Sequence, residues 1–285
     1  MKYVFTLTLL LLSSVLFAGG HLDIYKIYNS KGKEVSFEKM MKGTKDKSHI
    51  FMGEYHNNAV SHWVQVELME ALYKLHKKKL IMGAEMFEAD NQYILDEYLN
   101  GQISAKNYQS EMRLWSNYNT DYKPLIEFAK SKELAFVATN IPRRYANMVY
   151  KKGIKSLDGL TQLAKSFMVP LNQFKFDSTV ACYKAIYEME HGGEGMATAQ
   201  AIKDATMAHF IYKYTKPNSV FLHFQGAYHS DNYEGIVHYL KQKIDLKKIV
   251  TISTVSQMDI EKLEEENKGK ADFIICVRDN MTNTH

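Results

Sequence analysis

The sequence predicts an α/β fold: a mainly parallel central sheet, flanked by helices and enlarged by helical insertions. Three observations predict it. Short apolar runs recur, segments of helical period separate them, and polar residues gather just after the runs. The runs are Ile50–Met52, Leu80–Met82, Ala135–Ala138, Val220–Leu222, Ile249–Ile252 and Phe273–Val277. Runs of this kind suit strands buried on both faces of a parallel sheet.

Taken in order, the chain opens on a signal-peptide pattern over residues 1–20. Lys2 supplies the charge, Val4 to Phe17 is almost wholly apolar, and Ala18-Gly19-Gly20 offers small residues for cleavage. The apolar stretch is shorter than the roughly 20 residues of a membrane span, and no cysteine follows it to carry a lipid. The expectation is export, to the periplasm or cell surface, with no transmembrane helix in a mature chain of 21–285. Between the first two runs, Ser61 to Lys77 places Val64, Leu68, Leu72 and Leu75 on one helical face. Strand, helix and strand in this order imply right-handed crossovers. Pro142 to Lys152 reads as a helix with proline in its first turn and Gly153 at its cap. The intervals from about 90 to 132 and from about 157 to 213 read as helical insertions on one core, because no linker-like composition sets them apart. Glu261 to Lys270 is a charge run, expected as a solvated helix face before the last strand.

Composition narrows the function. Hydrophobic residues are 46% and charged residues 24%, which suits a globular chain with a real core and excludes disorder or a coiled coil. Two cysteines, Cys182 and Cys276, are too few for a disulfide scaffold. Export permits them to pair, whereas the apolar run around Cys276 suits a buried free thiol. The net charge of +4 is a small difference between 36 basic and 32 acidic residues, with no long basic stripe for nucleic acid. The chain also holds 19 Tyr and 11 His against 4 Pro.

In open α/β sheets, ligands bind beyond the carboxyl ends of the strands. There the chain carries Gly53-Glu54-Tyr55-His56, Gly83-Ala84-Glu85, Thr139-Asn140-Ile141-Pro142-Arg143 and Gln225-Gly226-Ala227-Tyr228-His229. Gly-x-x-His thus occurs twice, each time after an apolar run and with Tyr before His. Glycine permits a tight turn, and histidine then projects as a metal ligand or proton carrier. Turn-capping is the alternative reading of the same residues. Glu85 lies in an apolar context, where a carboxylate needs a partner such as Arg143, Arg144, a histidine or a metal. Asp204 shares a helical face with Gln200 at a four-residue step.

These residues carry a family resemblance. The chain resembles the bacterial haem-binding ChaN-type proteins, part of a wider group with the TraB and Tiki proteins and erythromycin esterases. The matching stretches are Gly53 to His56, Gly83 to Phe87 with Gln92, Asn140 with Pro142-Arg143, Asp204 with Met207-Ala208, and Gly226 to His229 with Gly235-Ile236. They come in the family's order and span about residues 50 to 240. The resemblance implies an α/β core with insertions, haem as ligand, a haem-linked homodimer and tyrosine as axial ligand helped by histidine, which suits ferric iron. Unlike many members, this chain lacks a lipid-bearing cysteine.

Haem needs an axial ligand, apolar walls and cations for its propionates. The aromatic segment Leu114 to Lys123 offers Tyr118 and Tyr122, four apart; the glycine-rich segment after Tyr187 offers His191. Tyr118 and His191 are the expected ligands. Tyr122, Asn140, Arg143 and Asp204 are further candidates around the cofactor, with Arg143, Arg144 or nearby lysines meeting the propionates. The leading function is therefore an exported haem binder in haem and iron uptake, with an outer-membrane haem receptor as partner. The alternative is a metal-dependent hydrolase, peptidase-like or esterase-like, in which His56, His229, Glu54 and Glu85 hold a divalent ion or act on water. A third reading makes the rim a relic on a scaffold that binds neither.

Overall fold

The structure, a computed structural model, describes residues 23–284. The expected signal peptide lies outside the described residues. Seven strands form one sheet: β1 (Tyr25–Asn29), β2 (His49–Glu54), β3 (Leu80–Glu88), β4 (Phe136–Asn140), β5 (Val220–Gly226), β6 (Ile249–Gln257) and β7 (Phe273–Arg278). Their order is β1-β7-β6-β2-β5-β3-β4, parallel throughout except for β1, which runs antiparallel to β7. The parallel α/β architecture is therefore the one expected, with every apolar run in a strand save Ala135, which immediately precedes β4. The edge strand β1 escaped the sequence reading, because Tyr-Lys-Ile-Tyr-Asn is short and mixes polar with apolar residues.

Ten α-helices accompany the sheet among the described residues: α1 (Phe37–Thr44), α2 (Ala59–His76), α3 (Gln92–Leu99), α4 (Ala105–Glu111), α5 (Lys123–Ser131), α6 (Arg143–Lys152), α7 (Gln162–Lys165), α8 (Ala181–Glu188), α9 (Glu194–Tyr214) and α10 (Ile236–Leu240). Helix α2 starts where the Asn58 side chain accepts the Ser61 N–H at 2.9 Å, a satisfied N-cap. Its Val64, Leu68 and Leu72 enter the core, but Leu75, in the last turn of the helix, does not: it is 56% exposed. Helix α6 follows Pro142 and stops at Gly153, whose φ of 74° suits glycine. The stretch 261–270 departs from expectation. It carries a single short turn, Glu265–Asn267, and no regular helix.

The insertions pack on the two faces of the sheet. Helices α2, α3 and α5 bury Leu68, Leu95 and Leu125 against Met52, Met82 and Phe224 on one face. Helices α9 and α10 bury Met207, Ile211 and Val237 against Phe51, Ile81 and Phe221 on the other. Burying a leucine or phenylalanine side chain contributes roughly 2 kcal/mol each, so these layers fix the sheet and hence the strand ends. Cys182 and Cys276 are free, buried thiols in different clusters. Among the described residues, no helix is long and apolar enough to cross a membrane.

Candidate functional site

The carboxyl ends of β2, β3, β4 and β5 converge on a cleft of about 770 Å³. Glu54, His56, Glu85, Asn140, Arg143 and His229 all line it, as the strand-end argument expects. Two glycines make the convergence possible. A side-chain carbon on Gly53 would sit 2.7 Å from the Ala227 Cα, and one on Gly226 would sit 2.8 Å from the His56 Nε2. The register of β3 against β4 shifts between Ala84 and Glu88, around Glu85, which lines the cleft.

Glu54 is buried, and four side chains surround it. The Tyr122 hydroxyl donates to Oε1 at 2.7 Å, His56 Nδ1 lies 2.9 Å from the same oxygen, Gln65 donates to Oε2, and His62 Nδ1 stands 3.7 Å from Oε2. This fixes the His56 ring with Nδ1 on Glu54 and Nε2 beside Gly226. Burial disfavours a charged His56, but the bond to Glu54 and the charges of Glu85 and Glu54 outweigh it, so the imidazole is more basic than usual.

A second chain of groups lies opposite. His229 Nε2 is 3.0 Å from Glu85 Oε1, and its Nδ1 is 2.5 Å from Asp204 Oδ1. The Tyr183 hydroxyl donates to Asp204 Oδ2 at 2.8 Å, and the Gly226 N–H donates to Glu85 Oε2 at 2.9 Å. Burial alone would neutralise His229, but two flanking carboxylates push it up to about 10. Glu85 is held well below the usual carboxylate range, since the charge and hydrogen bond of His229 overcome its burial. Burial raises Asp204. Asn140 donates to the Glu85 carbonyl at 3.0 Å, while its buried Oδ1 has no hydrogen-bond partner among the described residues.

The divalent metal expected at Glu54, His56, Glu85 and His229 finds no support in this arrangement. Both nitrogens of His229 are already engaged by carboxylates, Nδ1 by Asp204 and Nε2 by Glu85. His56 has Nδ1 on Glu54, which leaves Nε2 as its one remaining nitrogen. Among the described residues, no group of three or more His, Cys, Asp or Glu side chains is placed to hold a metal ion. The cleft instead holds buried carboxylates and an accessible imidazole.

The haem candidates divide. Tyr118 is 3% exposed and packs edge-on against Phe87 with its ring 6.0 Å from Tyr108; burial pushes its hydroxyl far up. Tyr122 is equally buried and serves Glu54. Neither presents a phenolate to a porphyrin as placed, since residues 118–122 turn inward as one π-type turn. Asp204 lies behind His229, and Arg144 pairs with Asp90 at 2.6 Å. His191 lines a separate groove of about 450 Å³ between α6 and the start of α9. Sequence reasoning missed this groove's Tyr150, which is 48% exposed. It also missed His62 and Gln65, although a polar pair three apart in an apolar helix was a legible signal.

An α/β protein with its polar residues on the strand-end rim and a helical groove beside them is the class these features define. Residues 40–240 match the family described as "Haem-binding uptake, Tiki superfamily, ChaN", and the chain belongs to it. Among solved structures it is similar to ChaN of Campylobacter jejuni, described as binding haem cofacially, at 18% identity and a TM-score of 0.65, over 88% of this chain and 96% of that one. It is also similar to a mutant erythromycin esterase in its open conformation, at 12% identity and a TM-score of 0.53, over 89% and 97% of the two chains. No curated protein sequence matches this chain significantly.

Proposed function

We propose that the protein is an exported haem-binding protein acting in haem and iron uptake, and that haem lies in the groove between α6 and α9. Family membership supports haem as the ligand. The observation that carries the location is a pair of facing helical stripes. Arg143, Ala146, Asn147 and Tyr150 on α6 face Met196, Ala199, Gln200 and Lys203 on α9, each set at steps of three, one and three. The donor set fits ferric haem. Tyr150 offers a phenolate and His191 an imidazole, Ala146, Ala199 and Met196 offer apolar contact, and Arg143 with Lys203 meets two propionates.

Titrating hemin into the purified protein should raise a Soret band with a tyrosinate-type spectrum. Tyr150→Phe should weaken binding about tenfold or more, a loss of at least ~1.4 kcal/mol, whereas Tyr118→Phe should leave the spectrum unchanged. No Soret shift in the wild-type protein would overturn the reading. An open groove leaves one porphyrin face uncovered, which suits a haem-linked homodimer and hand-over to an outer-membrane haem receptor. Size-exclusion chromatography with and without hemin tests the dimer.

A second reading, hydrolysis at the strand-end cleft, is favoured by one observation. The accessible His56 imidazole is oriented by a buried carboxylate and faces a cleft holding an unpartnered amide oxygen. There His56 would take a proton from water without a metal. A panel of chromogenic esters and peptides tests it. Turnover that resists chelators and disappears in His56→Ala supports it, and absence of turnover counts against it.

A further inference from the structure

A second groove lies at the other end of α9. Its volume is about 570 Å³, and none of its residues belongs to the rim cleft or to the α6–α9 groove. Ala205, Ala208 and Leu240 line its buried floor, His209 and Tyr212 stand on its wall, and Lys213 and Lys243 are exposed at its edge.

This inventory repeats that of the first groove. Ala205, Ala208, His209 and Tyr212 follow the same steps of three, one and three as Arg143, Ala146, Asn147 and Tyr150. Each stripe has alanine at its second place and tyrosine at its last, and the two tyrosines are 48% and 47% exposed. Each groove also has one histidine and two cations. Alanine side chains are one carbon high, so a floor of them leaves a flat apolar shelf, the shape a planar macrocycle needs. Volumes of 300–1,000 Å³ are usual for ligand sites.

We propose that this groove is a second iron–porphyrin site, with His209 as its axial ligand and Lys213 and Lys243 as propionate partners. The proposal rests on the haem reading above. The electrostatics agree with the geometry. Burial, and then the charge of Lys213, hold His209 below the usual histidine value, so its ring is neutral near pH 7 with a lone pair for iron. Lys213 borders the groove, and its ammonium lies 5.3 Å from the Phe210 ring centre and 5.8 Å from that of Tyr214, outside the groove. A neutral imidazole here against a phenolate at Tyr150 predicts two spectrally different haems on one chain.

The test is hemin titration of the full chain, followed by absorption and magnetic circular dichroism. The wild-type protein should take two equivalents. Tyr150→Ala should retain one, with a histidine-type spectrum. His209→Ala, and independently the surface double variant Lys213→Glu with Lys243→Glu, should retain one with a tyrosinate-type spectrum. A single equivalent that Tyr150→Ala removes would overturn the second site and leave the first standing. Two equivalents indifferent to both rear-groove variants would also overturn it. No haem at all would overturn the haem reading itself.

Discussion

At the scale of single residues, the cleft is governed by who holds each proton. His229 stands between Glu85 and Asp204, and the three are stable only together. Removing one carboxylate leaves a buried imidazolium with half its counter-charge, a change that costs about 3–5 kcal/mol. Urea unfolding of Asp204→Ala should show a loss of that size; a loss under ~1 kcal/mol would mean that the Asp204–His229 bond does not hold in solution. The two Gly-x-x-His stretches were legible in the sequence because chemistry at strand ends is tied to position along the chain. Tyr150 was not. Within Met148-Val149-Tyr150-Lys151-Lys152 it reads as one residue of an amphipathic helix, and only the approach of α9 from about fifty residues away gives it a groove. Tyr118 shows the complementary limit. An aromatic-rich segment advertises either a ligand pocket or a core, and local sequence does not say which way its backbone turns.

At the scale of elements, helix α2 shows where periodicity stops being informative. Val64, Leu68, Leu72 and Leu75 form one face on paper, yet only the first three are buried. Leu72→Ala should cost about 2–5 kcal/mol, as buried leucines do, while Leu75→Ala should change stability by less than ~0.5 kcal/mol. Thermal or urea unfolding of the pair checks this, and equal losses would contradict the placement. The strands that were legible are those buried on both faces, whose apolar runs need no partner to be recognised. Strand β1 is an edge strand with one neighbour, so its sequence is free to alternate. The acidic and basic run before β7 satisfies its backbone mainly by turns, which helical periodicity does not detect.

At the scale of the whole molecule, buried histidines of opposite sign shape the response to pH. Burial holds His49 and His223 down to about 4, so both are neutral in the folded protein near neutrality. As pH falls from 6.5 towards 4, the unfolded chain gains these protons and the folded one does not, so stability drops by roughly 1.4 kcal/mol per pH unit for each group. His229, pushed up to about 10, acts in the other direction. Its contribution is complete below about 6.5 and disappears as pH rises towards 10. Stability should therefore be greatest near neutrality and fall on both sides. Denaturant midpoints at about pH 5, 7 and 9 check this, and a flat profile would contradict it.

Arg143, Gln200 and Lys203 border both the rim cleft and the α6–α9 groove. Gln200 also stands 3.1 Å from His229, and Arg143 is bonded to Glu88 in the cleft wall. Two compartments with a common wall are thermodynamically linked whenever a guest in either moves that wall. Such linkage is reciprocal: whatever factor one guest imposes on the other's affinity is returned unchanged. The wall residues are therefore poor places to tune one compartment alone. Residues facing only one side, such as Tyr150 and His56, are the ones free to vary independently.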